Sequence, residues 1–277
     1  MKLIQKSMII TVGLSVGLFV TGCEKAIDLP LETASPRLVI DASIDWIKNT
    51  AGNEQKIVLS TTTGYYNADF PSVSGALITV TNASNTVFNF VEASGMGQYV
   101  CQNFLPVIGE TYNLKIVLHG ETYTASETFT PVPKIEDNID QNDKGGEMGD
   151  EIEVTFNYRD NPGQENFYLN SITQPHSPFP ELEVEDDEHT NGNLMQESFS
   201  HEKLKPGDRI DFKLYGISKS YYNYMFKLTL ATGNDGNPFP TTPGAVRGNI
   251  INQTNNNNYA FGYFRLAEAD TKSYTIK

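Results

Sequence analysis

In Leu105-Pro106-Val107-Ile108-Gly109-Glu110-Thr111-Tyr112-Asn113-Leu114-Lys115-Ile116-Val117-Leu118 a turn runs straight into a strand. Pro106 and Gly109 suit a turn, and Leu114, Ile116 and Leu118 then recur at every second position, the period of a strand with one buried face. Tyr112 stands at the entrance to that strand. A tyrosine placed there can send its hydroxyl back to the backbone of the connection that precedes it.

Working outward, this tyrosine resembles the tyrosine corner of Greek-key sandwiches, and its surroundings agree. From Arg37 the apolar set Leu38, Ile40, Ala42, Ile44 and Trp46 alternates with Arg37, Asp41, Ser43 and Asp45, which predicts a half-buried strand. Further strands are expected at 55–63, 76–81, 86–91, 98–104, 112–118 and 122–129, with Gly, Asn, Asp or Pro between most of them. About seven short strands so spaced argue for an antiparallel sandwich of immunoglobulin or transthyretin type over 37–130. Pro131-Val132-Pro133 breaks the pattern, and the polar stretch that follows reads as a linker over 131–150. Asp140, Asn142, Gly145 and Glu151 match some positions of a calcium loop, but Lys144 stands where a ligand oxygen is needed and no helices flank it.

Residues 151–277 read as a second β-rich domain. Ile152, Val154, Phe156 and Tyr158 share one face, the turn Asp160-Asn161-Pro162-Gly163 follows, and a strand is expected around Phe167 to Ile172. The stretch 174–193 lacks periodicity and carries the acidic run Glu181 to Glu188, so it reads as a long solvated loop without a metal. Leu204-Lys205-Pro206-Gly207-Asp208-Arg209 leads into a strand bearing Ile210, Phe212 and Leu214. Ser218 or Ser220 can cap a helix at about 219–231, with Gly233 as its stop. Its apolar residues cover so much of its circumference that a buried helix is expected. A proline-stiffened loop, the asparagine run 255–258 and a closing strand through Phe261, Tyr263 and Phe264 end the chain.

At the other end, Lys2 and Lys6 precede a short apolar run from Met8 to Val20, the layout of a secretory signal rather than of a spanning helix. Val20-Thr21-Gly22-Cys23 resembles the lipobox of bacterial lipoproteins, in which the chain is cut before the cysteine and that cysteine is acylated. The resemblance makes 1–22 a signal peptide, Cys23 the lipidated residue and 23–36, with Pro30 and Pro36, a tether. The chain carries 20 basic and 34 acidic residues; without Lys2 and Lys6 the balance is 18 to 34, or −16. Such a surface repels nucleic acid and anionic headgroups, so no nucleic-acid partner is expected. Cys101 is the one cysteine besides Cys23, which leaves no pair for an internal disulfide once Cys23 is acylated.

Several segments together resemble the Bacteroidota lipoproteins of the domain-of-unknown-function 4249 family. They are Cys23-Glu24-Lys25 with Ile27-Asp28-Leu29, Leu38 to Ile40, Gly109 to Tyr112, Asp160 to Tyr168, Ser218 to Tyr224, Asn237-Pro238-Phe239, Asn249-Ile250 and Gly262-Tyr263-Phe264. The asparagine run and the tyrosine-rich helix depart from the pattern. The resemblance implies an outer-membrane or cell-surface lipoprotein held to the membrane by its N-terminal lipid, often beside TonB-dependent receptors, but no assigned chemistry. Cys101 and the four scattered histidines have no nucleophile or metal-ligand spacing, so no enzyme and no cofactor are expected. For ligand contact the candidates are the loop aromatics Tyr65, Tyr66, Phe70 and Phe239. The expected role is a binding or docking subunit; the alternatives are an envelope protein without a ligand and a carboxylate-dependent hydrolase.

Overall fold

A computed structural model describes residues 34–64, 67, 69–93, 95–232 and 245–277; Ser35–Lys277 forms one compact unit. The fold is mainly β. In chain order the strands are β1 (Leu38–Ile47), β2 (Gln55–Thr61), β3 (Leu77–Asn82), β4 (Val87–Ala93), β5 (Gln98–Cys101), β6 (Thr111–Leu118) and β7 (Glu121–Thr128). There follow β8 (Ile135–Gly145), β9 (Glu151–Arg159), β10 (Phe167–Thr173), β11 (Glu181–Asp186), β12 (Leu194–Ser200) and β13 (Arg209–Ile217). Helix α1 (Lys219–Thr232), β14 (Ile251–Asn252) and β15 (Phe261–Thr275) complete the described chain.

The first half curls on itself as the alternation predicts. Ile40, Ala42 and Ile44 of β1 are fully buried and meet Ile78, Phe88, Leu114 and Ile116 from the strands opposite. β4 joins the two layers, because it pairs with both β3 and β5. Tyr112 Oη donates to the Leu105 carbonyl at 2.6 Å, so the tyrosine corner is formed. Its ring packs between Phe104 at 5.2 Å and Phe129 at 5.9 Å.

β15 changes the expected domain arrangement. Its first part runs parallel to β1, from Val39 opposite Phe261 to Ile47 opposite Ala269, and its second part runs antiparallel to β13. Phe264 and Leu266 therefore enter the first core, whereas Tyr263, Ala267 and Ala269 point to the other face, toward α1. The halves share one sheet of order β11-β10-β13-β15-β1-β2-β5-β4-β3-β6-β7-β14, and β12-β9-β8 covers one part of it. Sheet-on-sheet packing there buries Val154, Phe156, Tyr158, Phe212 and Leu214.

Three expectations need correction. The 131–150 stretch is not simply a linker: most of it is β8, whose side chains are largely exposed and whose register shifts twice against β9. An edge strand with so few inward side chains leaves no period-two trace. The calcium-loop positions Asp140, Asn142 and Gly145 lie within it. Likewise the acidic run is strand β11, held by backbone pairing to β10. Finally, α1 is buried on one face only. Ser218 caps it, its Oγ accepting from Tyr221 N at 3.2 Å, and Tyr221 and Met225 are buried, yet Phe226 is 49% exposed. The helix rests on one side of the sheet and leaves Asn223, Phe226 and Lys227 exposed.

Close backbone approach makes β15 intolerant of side chains at one point. Gly262 has φ +97°, and a Cβ there would lie 1.9 Å from the Ile40 carbonyl oxygen. Gly163, at φ +92°, has open space around it. Gly163→Ala is expected to cost about 1–3 kcal/mol from backbone strain alone, and Gly262→Ala clearly more, because β1 and β15 must also separate. Urea denaturation of the two variants checks this; equal losses would show that the contact with β1 contributes nothing. In the same assay Tyr112→Phe is expected to cost about 1 kcal/mol through the lost corner hydrogen bond.

Candidate functional site

Among the described residues, those singled out in the sequence do not converge. Val20, Thr21, Gly22, Cys23, Tyr65, Tyr66 and Phe239 lie outside the described residues. Phe70 is 69% exposed on the surface. Cys101 is buried at the end of β5, its thiol donating to Asn103 Oδ1 at 3.3 Å, and burial pushes its pKa up, so little reactive thiolate is available. His176 Nε2 lies 2.7 Å from Asp208 Oδ2 and stacks on His201 with ring centres 6.0 Å apart, an arrangement that ties the β12–β13 connection to the loop after β10.

A different group of side chains does converge, at the open edge of the second sandwich. Along β12 the alternation places Met195, Glu197 and Phe199 inward, so a carboxylate stands where the pattern calls for an apolar side chain. Across the sandwich, β11 presents Glu183 and Glu185 on the face opposite to Val184, which packs toward α1. Ligand oxygens of Glu183, Glu185 and Glu197 all lie within 4.8 Å of one another. Glu197 is buried, Glu185 half-buried, and Glu183 reaches the surface.

The floor of this cluster is polar without being satisfied. Asn170 of β10 sits directly opposite Glu183 in the strand register and therefore on the same sheet face. It is 1% exposed, and neither its Oδ1 nor its Nδ2 makes a hydrogen bond. Its amide is near enough to Glu197 to favour that group's charged form while remaining outside hydrogen-bonding geometry. The fully buried Tyr158 hydroxyl also lacks a partner, and burial, with Glu197 next, pushes its pKa up. Each unsatisfied buried polar group costs about 1–3 kcal/mol.

Burial, followed by the Glu185 side chain and then Glu183, raises the Glu197 carboxyl well above the usual range. Burial and then Glu185 raise Glu183 as well. Three carboxylates brought this close repel one another, and the cost falls hardest on the buried Glu197. Among the described residues none of the ion pairs engages these three acids. The one sequence signal of Glu197 was its parity with Met195 and Phe199; the meeting with β11 depends on chain pairing that no local pattern encodes.

The raised Glu197 carboxyl carries a pH signature. Below the unfolded carboxyl value, about 4.3, both states hold the proton. Above it the unfolded chain releases the proton while the folded chain keeps it, so stability falls as pH rises toward the folded value. Glu197→Gln removes this contribution. In EDTA its thermal midpoint is expected to match wild type near pH 4 and to exceed it by at least about 3 °C at pH 8. Coincident midpoints at pH 8 would show that Glu197 carries no burial penalty.

Comparison with known proteins gives a family. No curated protein matches the chain. A two-domain fibronectin type III segment of chicken tenascin is 13% identical, with 59% of this chain and 85% of that one covered and a TM-score of 0.21. The FN1–FN3 domains of chicken CNTN1 are 12% identical over 59% of this chain and 56% of theirs, with a TM-score of 0.21. A DUF4785 family protein from Legionella pneumophila is 8% identical, with 65% and 52% covered and a TM-score of 0.25. The family model described as "Domain of unknown function (DUF4249)" matches residues 24–273, nearly the whole chain after Gly22, and the protein belongs to that family.

Proposed function

We propose that this protein is a lipid-anchored accessory lipoprotein of the bacterial outer envelope, serving as a binding or docking subunit beside a TonB-dependent nutrient importer. The observation that carries the reading is the position of Val20-Thr21-Gly22-Cys23 immediately before the family match, which starts at residue 24. A cut before Cys23 releases the whole matched body with an acylated residue at its head. Two or more acyl chains make such attachment lasting, whereas one chain holds only marginally. The described body has no helix long and apolar enough to cross a membrane, so in this reading the lipid is its attachment.

The anchor and the role are tested separately. Cys23→Ala is expected to abolish incorporation of labelled fatty acid and to shift the protein out of the detergent-extracted membrane fraction. Equal labelling of mutant and wild type would remove the anchor assignment. After mild detergent extraction of wild-type cells, an affinity-tagged copy is expected to recover a TonB-dependent receptor. Repeated recovery of the protein alone would instead favour an envelope component without an importer.

A further inference from the structure

The acidic cluster spans two strands that belong to different sheets. β11 ends the twelve-stranded sheet and β12 ends the three-stranded sheet, so Glu183 and Glu185 face Glu197 across the mouth of a sandwich. Three carboxylates at this mouth repel one another and offer only oxygen. Oxygen donors without histidine or cysteine select hard divalent cations over zinc or copper.

The buried amide gives independent support. Asn170 is sealed from solvent, lies on the cluster's face of β10 in register with Glu183, and has an amide oxygen that nothing in the protein engages. Buried side-chain amides without partners are rare in folded proteins. A cation between the carboxylates would accept that oxygen as a ligand and remove the penalty. Coordination preference indicates which cation. A Ca2+ shell of radius about 2.4 Å permits opposite ligands up to about 4.8 Å apart, whereas Mg2+ holds its ligands at about 2.1 Å in a stricter octahedron. Three carboxylates and an amide converge here, a protein-rich oxygen set that leaves little room for the several waters Mg2+ retains and suits the more adaptable sphere of Ca2+. Glu183, at the surface, leaves an open side for entry and for waters to complete the shell.

We propose that Glu183, Glu185 and Glu197, with the side-chain oxygen of Asn170, form a Ca2+ site that clamps the two sheets of the second sandwich together at their edges. The clamp replaces repulsion between the sheets with shared coordination. It also engages β11, the terminal strand of the long sheet, whose outer edge is otherwise exposed to unwanted pairing. The inference is independent of the lipid anchor and of the importer.

The test uses the full chain purified in mild detergent, stripped with EDTA and dialysed, then titrated with CaCl2 or MgCl2 by calorimetry and thermal melting. Wild type is expected to bind one Ca2+ per chain with a rise in thermal midpoint, and to need at least tenfold more Mg2+ for the same rise. Glu183→Gln removes one of the mutually repelling charges, so its Ca2+-free midpoint should equal or exceed that of wild type while its Ca2+ affinity falls at least about tenfold. Asp137→Asn, which changes an exposed carboxylate held by Lys134 and Lys272 elsewhere, should bind Ca2+ like wild type. No calcium-dependent heat or shift in wild type would overturn the proposal. So would unchanged affinity in Glu183→Gln, an equal loss in Asp137→Asn, or Mg2+ acting at the same concentration as Ca2+.

Discussion

The parallel pairing of β15 with β1 is the constraint on which the rest of this structure depends. A parallel neighbour cannot come from a tight hairpin and must arrive from a distant part of the chain. Here the last long strand returns to the first, and only after some two hundred residues have been placed. By doing so it supplies Phe264 and Leu266 to the first core and offers its far end to β13, so one continuous sheet runs through both halves. Polar side chains then fix the crossing between them. Glu268 accepts from Val132 N at 2.9 Å and receives Lys48 at 2.8 Å, while Asp270 accepts from Ile135 N at 2.7 Å. What reads as a connecting segment is thereby fastened onto the strand that organises the molecule.

The face of β15 turned toward α1 shows a second consequence. Arg265 is almost fully buried, its guanidinium 2.6 Å from Asp45 of β1 and stacked over Tyr215 and Tyr221 at 4.5 and 5.1 Å. A cation so placed is tolerable because the carboxylate and the two ring faces replace much of its lost hydration. The polar side of β1 is therefore partly covered at Asp45, while Asp41 on the same side stays exposed. One helix tyrosine, Tyr221, forms a wall of this cage with Tyr215 of β13, while Tyr222 packs on Phe167 and Tyr224 on Tyr263, so the helix docks through its tyrosines and leaves Phe226 outside.

Legibility varied with the geometry of each element. Strands β1 to β7 stand close to their expected positions, since each has one wet and one dry face and alternation records that directly. The tyrosine corner was legible for a similar reason, because turn, tyrosine and strand are contiguous. β8 and β11 left no such trace. Both are terminal strands with many exposed side chains, and backbone pairing to a neighbour, invisible in side-chain pattern, makes them strands. The same blindness hid the acidic cluster: Glu183 and Glu185 read as part of a charged run, and Glu197 as a stray acid.

The sequence by itself determined the β class, the inward residues of the first sandwich, the capped helix and the signal-like segment ending at Cys23. Each of these depends on neighbours within about a dozen residues, a range over which periodicity, turn chemistry and capping act. Only the tertiary structure decided that the two halves share a sheet, that Arg265 is caged, and that three glutamates surround an unpartnered amide. Those outcomes follow from pairing between strands far apart in the chain. The register of such pairing is set by the collective burial of both cores, and no single segment contains it.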